Sequence, residues 1–301
     1  MTGHGHSHVP GHAGSRHRWR LLAAFCLTLV FLVVEVITAW VSGSLALLSD
    51  AGHMATDVVA LGAALAATQL AVRPDNSGRR TYGSYRAEVF ASGFTVLLML
   101  GVATYVVIEA IGRVGHDAEI ATGPMLVVGV LGLVINLISL WLLRGGARES
   151  LNVKGAYLEV LADSLGSVGV IAAALLIGWT GNPLWDTAIA LAIGAYVAVR
   201  AVLLGREVLA VLGQQAPEGI DPAEVSAHLA GAPGVADVHD LHLWTLTSGM
   251  HVATAHVVAA PGADQGELLT ALQRVLLERF GIDHATLQVE ADAERCAELS
   301  W

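Results

Sequence analysis

The sequence contains little charge. Asp, Glu, Lys and Arg make up 14% of its 301 residues, whereas soluble domains carry roughly 25%. Only two Cys are present and no glycine period runs through the chain, which excludes a disulfide-rich secreted protein and a fibrous protein. Hydrophobic residues make up 54%. This composition argues against a soluble enzyme, a disordered regulator or a nucleic-acid binder, and it is typical of a chain with most of its length in lipid.

The charge that is present is distributed unevenly. Residues 1–212 hold 13 acidic and 13 basic residues, whereas residues 213–301 hold 13 acidic and 3 basic ones. The second section therefore carries the whole net charge of −10, and such an acidic section would repel nucleic acid and attract cations. We predict a His-rich tail, a transmembrane domain, a cytoplasmic metal-binding and dimerisation domain, and a short second tail. Their bounds are 1–18, 19–212, 213–292 and 293–301.

Six apolar stretches in the first section each reach the length of about 20 residues that a helix needs to cross a bilayer. They cover residues 19–41, 45–72, 87–112, 121–143, 155–179 and 184–210. We therefore predict a membrane all-α bundle of six transmembrane helices, followed by a small cytoplasmic α+β domain.

Arg and Lys are concentrated in alternate loops. The N-terminal segment and the loops at 73–86 and 144–154 carry several each, the first and fifth loops carry none, and the third has Arg113 at its edge. This positive-inside pattern predicts a multi-pass protein of the plasma (inner) membrane with both termini in the cytoplasm. The first apolar run is too long for a signal peptide. A disulfide between Cys26, in a span, and Cys296, in the cytoplasm, is implausible.

Two of the predicted spans contain pairs of titratable residues. The second contains His53 and Asp57, the fifth contains Glu159 and Asp163, and each pair has the four-residue spacing that places two side chains on one helix face. Charged groups in hydrocarbon are costly and are functional candidates by default. One imidazole and three carboxylates suit a tetrahedral transition-metal site. The alternative is that these groups are interhelical hydrogen-bond partners, or line a water-filled cavity, without binding metal.

Other polar residues in the apolar stretches do not form such pairs. Asp50 precedes His53 by three residues, and we expect it to support the site or the helix end rather than to ligate. Glu35, Glu109 and Asn136 are interpreted as packing or pathway groups whose roles stay open.

The acidic section has the pattern helix–strand–strand–helix–strand, which predicts a small two-layer sandwich with helices on one face of a sheet. Histidines recur along its strands, at His239, His242, His251, His256 and His284. In the last strand His284, Gln288 and Glu290 are predicted to share a polar face. That face could present metal ligands at a surface or dimer interface, or it could simply carry exposed histidines.

The N-terminal tail is rich in histidine and glycine. Its histidines are His4, His6, His8, His12 and His17. Loosely spaced His-rich tracts bind metal weakly. We favour low-affinity metal collection over an inert solubilising tail.

The sequence lacks the motifs of a nucleotide-driven pump and of a zinc peptidase. The single lysine, Lys154, is followed by Gly155, so the chain has no phosphate-binding P-loop, and it has no His-Glu-x-x-His peptidase signature. A channel, a sensor or a secondary transporter remains. The predicted ligands bind protons in competition with metal, which favours a secondary transporter that exchanges metal for protons.

Several segments together resemble the cation diffusion facilitator family, in its branch of zinc transporters and cobalt–zinc–cadmium resistance proteins. The resemblance runs from Arg18 to Glu290, and its most specific parts are Ser44–Asp57, Tyr85–Val89, Leu161–Val168, Val238–Trp244 and Thr286–Glu290. It implies six transmembrane helices, a cytoplasmic ferredoxin-like domain resembling metallochaperones, and a homodimer. The implied activity is export of Zn²⁺ or a similar ion from the cytosol by metal–proton antiport with alternating access.

The resemblance also implies which residues bind metal. His53 and Asp57 match the family's pair on the second span, Asp163 matches one member of the fifth-span pair, and Glu159 stands where this branch usually has His. The additional carboxylate makes the site harder, so Co²⁺, Cd²⁺, Fe²⁺ or Mn²⁺ could compete with Zn²⁺.

In the cytoplasmic domain His239, His256 and Glu290 match ligand positions of related transporters, and His284 is a further candidate in a less certain register. The loop 73–86 lacks histidines, and we expect no metal there.

The leading hypothesis is thus a homodimeric divalent-metal/proton antiporter in the lipid membrane, with no prosthetic group, no enzymatic activity and no nucleic-acid partner. The first alternative is a membrane metal sensor whose intramembrane ligands are structural. A membrane metalloenzyme would need an open coordination position, an acid/base group and a nucleophile, and no such constellation is present in the sequence.

Overall fold

Six long helices precede a small sheet in the computed structural model, which describes residues 13–71, 78–113, 119–145, 151–247 and 249–290. The helices are α1 (Ala13–Ser42), α2 (Leu45–Ala71), α3 (Ala87–Arg113), α4 (Thr122–Leu143), α5 (Leu151–Thr180) and α6 (Leu184–Leu212). Within the described residues, all of these except α2 are long and apolar enough to cross a membrane. The predicted fold class, a six-helix membrane bundle plus an α+β domain, is confirmed.

The helix bounds follow the apolar stretches closely, with two extensions. Helix α1 runs from Ala13, six residues before the predicted span, and α5 runs from Leu151, four residues before it. The first twelve residues, with His4, His6, His8 and His12, lie outside the described part of the chain. Gly43 and Gly181 follow α1 and α5 with φ of 68° and 69°, a left-handed conformation in which glycine is tolerated best.

Contacts divide the chain into two units, each described here by itself. Over the described residues, the first comprises 13–61 and 95–202, and the second comprises 78–94 and 203–290 together with the end of α2. The core of the first unit is formed by large buried side chains and alanines from α1 to α6, among them Phe31, Met54 and Met125. At Gly132 an added Cβ would lie 2.8 Å from Cε1 of Phe31, so a small residue lets α1 and α4 approach closely.

The second unit contains the cytoplasmic α+β domain. Its elements are α7 (Pro222–Ala230), β1 (Val235–Thr247), β2 (Met250–Ala259), α8 (Gln265–Phe280) and β3 (His284–Glu290). β1 pairs antiparallel with β2, which pairs parallel with β3. This matches the predicted order of helices and strands.

The helices of this domain begin and end at their predicted signals. Asp221 accepts a hydrogen bond from the backbone N–H of Ala223 at the start of α7, and Asp264 accepts from Gly266 and Glu267 at the start of α8. Gly281 ends α8 in the left-handed conformation. Apolar residues of both helices pack on one face of the sheet: Val225, Leu229, Leu268, Leu272 and Leu276 from the helices, with Leu243, Ala253 and Val257 from the strands.

Candidate metal centre

His53 is the buried centre of a polar cluster inside the first unit. Its side chain is 2% exposed, and the two ring nitrogens face different carboxylates. Nδ1 lies 3.5 Å from Oδ2 of Asp57, one turn further along α2, and Nε2 lies 3.7 Å from Oδ1 of Asp163 on α5. The structure therefore brings residues from two predicted ligand pairs together, although Asp57 and Asp163 face opposite edges of the imidazole.

The fourth predicted ligand, Glu159, lies near His53 and Asp57. One ligand atom each from His53, Asp57 and Glu159 lie within 4.8 Å of one another. Both oxygens of Glu159 also accept hydrogen bonds from Arg200 on α6, with Oε1 2.5 Å from Nη1 and Oε2 3.0 Å from Nη2. Glu159 is thus close enough to take part in a metal site, but it is engaged by a guanidinium.

Several polar atoms of this cluster are buried without a hydrogen-bond partner among the described residues. They are both ring nitrogens of His53, Oδ2 of Asp57 and Oδ1 of Asp163. Buried polar groups are nearly always paired, and leaving one unpaired costs about 1–3 kcal/mol. The separations of 3.5 and 3.7 Å exceed the usual 2.7–3.2 Å of an N–H···O hydrogen bond, so a purely structural role leaves these atoms unexplained.

The same separations fit ligands of a small cation. Bonds of about 2.0–2.2 Å from Zn²⁺ to nitrogen or oxygen place neighbouring ligand atoms roughly 3.3–3.6 Å apart in a tetrahedron. Each of the two distances, 3.5 and 3.7 Å, lies close to that range, but they involve opposite ring nitrogens of His53, so one bound ion accounts for only one of them. An ion bound to Nδ1 of His53 would be near Asp57, and one bound to Nε2 would be near Asp163.

Two residues of the site were missed in the sequence. Tyr196 and Arg200 have a four-residue spacing on α6, with the Tyr196 ring 5.7 Å from the His53 ring and the Arg200 guanidinium 5.9 Å from the Tyr196 ring. Arg200 lies inside the sixth apolar stretch, and the rule that intramembrane charges are functional candidates applies to it. Arginine does not ligate metal ions, so the spacing of His, Asp and Glu residues does not indicate it.

The other intramembrane polar residues differ in their surroundings, and Glu35 and Asp50 lie next to each other. Asp50 and Glu35 are each 1% exposed, and each has an oxygen without a hydrogen-bond partner in the described part of the chain. Asn136 donates a 3.4 Å hydrogen bond to Ser167 across α4 and α5. Glu109 pairs with Arg113 on its own helix at 3.4 Å. Asn136 and Glu109 thus have structural partners.

A second cluster lies in the cytoplasmic domain, where His239 on β1 is paired in register with His256 on β2. Glu290, at the end of β3, is 9% exposed. Its Oε2 is 3.6 Å from Nε2 of His239 and its Oε1 is 3.2 Å from Nδ1 of His256. Asp240, with φ of 53°, has Oδ2 3.8 Å from Nε2 of His256. His239, His256 and Glu290 could hold a metal ion together.

The structure does not bring His284 into that cluster. His284 is exposed at the start of β3 and pairs in register with Val252, whereas His256 is opposite Gln288. The His284 ring instead makes an edge-to-face contact with Tyr82 at 5.6 Å. Four residues of extended strand, at roughly 3.3 Å each, separate His284 from the position opposite His256.

The apolar helices and the buried imidazole–carboxylate cluster define a multi-pass membrane protein with a candidate cation site. Residues 21–212 match the family model described as the cation efflux transmembrane domain, and residues 217–292 match that of the cation efflux protein, cytoplasmic domain. The chain therefore belongs to the cation diffusion facilitator family, in its zinc, cobalt and cadmium branch.

Three relatives illustrate this membership. The metal cation efflux system protein CzcD of Cupriavidus metallidurans is 47% identical over 96% of this chain and 90% of its own length. The zinc transporter ZitB of Escherichia coli is 39% identical over 95% of this chain and 92% of its own. The cadmium, cobalt and zinc/H(+)-K(+) antiporter of Bacillus subtilis is 34% identical over 96% of this chain and 93% of its own.

Proposed function

We propose that this metal cation efflux transporter exports Zn²⁺, or a similar divalent ion such as Co²⁺, Cd²⁺, Fe²⁺ or Mn²⁺, from the cytosol in exchange for protons. Membership of the cation efflux family supports export. A relative that is 34% identical is a cadmium, cobalt and zinc/H(+)-K(+) antiporter, which supports exchange. A channel would not need buried groups that bind protons and metal competitively.

The transport site consists of His53, Asp57, Glu159 and Asp163. The observation that carries this assignment is the cluster of His53, Asp57 and Glu159, whose ligand atoms lie within 4.8 Å of one another, with Asp163 3.7 Å from the other ring nitrogen of His53. The atoms of Asp57 and Asp163 that face His53 are unpaired in the described residues.

Exchange follows from the chemistry of these ligands. Imidazole and carboxylate groups must lose their protons to bind a metal ion, so binding and protonation exclude each other. When the site opens to the cytosol, metal replaces protons, and when it opens to an acidic exterior, protons replace metal. Alternating access of one site to the two sides then couples the two fluxes without nucleotide hydrolysis.

The cytoplasmic domain regulates this cycle in a homodimer. Its three-residue cluster of His239, His256 and Glu290 supports metal binding, and the section after residue 212 carries the net charge of −10. Two such acidic domains repel each other, and bound metal reduces that repulsion. We assign no regulatory ligand role to His284, which contacts Tyr82.

Flux measurements test this function. The full-length protein in proteoliposomes should accumulate Zn²⁺ when a pH gradient is imposed, and a panel of divalent ions should rank its selectivity. Asp163→Ala should abolish this flux, whereas Glu109→Gln, which changes an acid paired with Arg113 on α3, should retain it. Absence of flux in the wild type would favour the sensor, and near-normal flux in Asp163→Ala would refute the ligand role.

A further inference from the structure

We propose that Arg200 is a specificity-determining residue that competes with the transported ion for Glu159. The guanidinium acts as a tethered cation that occupies the Glu159 carboxylate until a divalent ion displaces it. This inference rests on the proposed function, and it concerns how the same site discriminates between ions and releases them.

The contact between Arg200 and Glu159 uses the whole carboxylate. Each oxygen accepts from a different guanidinium nitrogen, at 2.5 and 3.0 Å. Nη1 also lies 3.9 Å from Oδ1 of Asp57. A two-pronged contact of this kind is among the stronger polar interactions in proteins. An ion that binds Glu159 must therefore compete with the guanidinium for the negative charge of that carboxylate.

Arg200 is held at the site by its own helix. Tyr196 precedes it by one turn on α6, and its ring contacts both the guanidinium and the His53 ring. The side chain of Arg200 is 30% exposed and that of Glu159 is 32% exposed. The pair is therefore partly screened from solvent, and its charge acts directly on the neighbouring ligands.

The charge of the site explains why such a cation would be present. Asp57, Glu159 and Asp163 supply three carboxylates around one imidazole. When all three are ionised and no metal is bound, they repel one another in a medium of low dielectric. In the empty site, the positive charge of Arg200 reduces the repulsion between these carboxylates. When a divalent ion is bound, the same charge repels that ion.

Competition for Glu159 also gives discrimination between ions. An ion that needs only three protein ligands, as Zn²⁺ does in catalytic sites, depends less on Glu159 and can leave it on Arg200. A harder ion such as Mn²⁺, which prefers oxygen and more ligands, needs Glu159 and must displace the guanidinium. Arg200 therefore disfavours hard ions relative to Zn²⁺, and its return to Glu159 promotes release.

Equilibrium binding by the purified full-length protein tests the inference. Dissociation constants for Zn²⁺ and Mn²⁺ would be measured by competition with a chelating dye. Arg200→Gln should tighten Mn²⁺ binding at least about tenfold and raise Mn²⁺ affinity relative to Zn²⁺. Arg200→Lys, which keeps the charge but not the two-pronged contact, should fall between Arg200→Gln and the wild type.

Two controls separate competition from general effects. Arg206→Gln removes an exposed arginine from the same helix and should leave both constants unchanged. In a Glu159→Gln background, removing Arg200 removes a positive charge near the site and should tighten Zn²⁺ and Mn²⁺ alike. The ratio of the two dissociation constants should then change by less than about threefold, because the contested carboxylate is gone.

The inference is overturned if Arg200→Gln leaves Mn²⁺ affinity unchanged, or weakens it as Glu159→Gln does, since Arg200 would then merely position Glu159 as a ligand. If Arg200→Gln does not fold, the Lys variant decides, and wild-type Mn²⁺ affinity and ion preference in that variant would contradict the proposal. If the wild-type protein moves no metal in proteoliposomes but the variants show the predicted affinities, the proposed transport function is refuted and the role of Arg200 in ion binding is retained.

Discussion

At the scale of single residues, Asp50 shows how a glycine can make room for a buried charge. Asp50 precedes His53 by three residues on α2, and its carboxylate faces Gly166 on α5. A Cβ built at Gly166 would overlap Oδ1 of Asp50 and lie 3.0 Å from its Cγ. Because Asp50 is 1% exposed, the carboxylate has little room to move away, so this position requires glycine.

We therefore predict that Gly166→Ala destabilises the protein by about 1–3 kcal/mol, as overpacking of a close-packed interior does, and lowers metal flux. Gly178→Ala is a matched control on the same helix, because nothing lies within 4 Å of its added Cβ. That control should be neutral or stabilising by up to about 1 kcal/mol. Thermal unfolding in detergent compares the two, and equal melting temperatures would contradict the prediction.

The cytoplasmic histidines provide a second comparison. His256 contacts Glu290 at 3.2 Å, whereas His284 contacts Tyr82 outside the cluster. We predict that His256→Ala weakens Zn²⁺ binding by the cytoplasmic cluster at least about tenfold, because it removes a ligand and the loss of a residue that merely supports a ligand already costs about 10–100-fold. His284→Ala should leave this binding unchanged. Both would be measured by titration in an Asp163→Ala background, which removes a transmembrane ligand. An equal loss in the two variants would restore His284 to the ligand set.

At the scale of elements, helix α2 depends on a carboxylate from another helix. Asp186, near the start of α6, accepts hydrogen bonds from the backbone N–H groups of Leu45 and Ala46 at 2.6 and 3.2 Å, and from Oγ of Ser44 at 2.6 Å. Arg113 donates to the carbonyl of Gly43 at 2.8 Å. Asp186 thereby caps the first N–H groups of α2 from another helix, while Ser44 is the N-cap residue in the chain itself and accepts from the N–H of Leu47. Both contacts stabilise the helix that carries His53.

Removing this cap should destabilise the protein strongly. Asp186 is fully buried, so Asp186→Ala leaves buried donors unpaired at about 1–3 kcal/mol each. Asn182→Ala is the control, because its side chain accepts from the N–H of Leu184 at an exposed helix start, where water can replace it, and it should cost about 1 kcal/mol or less. Melting temperatures in detergent measure both. A similar small shift in each would mean that the α2 cap is dispensable.

These elements also show what the sequence could predict. The caps at Asp221, Asp264 and Gly281 act on residues next to them, so local pattern was sufficient. The ligand pairs were found because a four-residue spacing defines one helix face. Asp186 acts 141 residues away from Leu45, and Arg200 acts 41 residues away from Glu159. Such contacts depend on which helices become neighbours, and helical periodicity does not determine that.

At the scale of the whole molecule, Arg113 is the one basic residue at the edge of a loop predicted to lie outside. It lies 3.4 Å from Glu109 and 3.6 Å from Asp186, so its charge is compensated. Trp40 and Trp179, near the ends of α1 and α5 on that predicted side, are 87% and 85% exposed. Tryptophan at helix ends is typical of membrane interfaces.

The charge pattern therefore predicts that residues 144–154 lie in the cytoplasm and the loop at 181–183 lies outside. Alkaline phosphatase, which is active only after export, should be inactive when fused after Gly145 and active when fused after Gly181. Arg113→Gln should leave both results unchanged, because the charge of Arg113 is compensated and does not set the orientation. Neutralising Arg144, Arg148 and Lys154 together should weaken the retention of residues 144–154 in the cytoplasm. If the fusion after Gly145 is active in the wild type, the orientation is the reverse of the predicted one. The proposed transport would then be import rather than export.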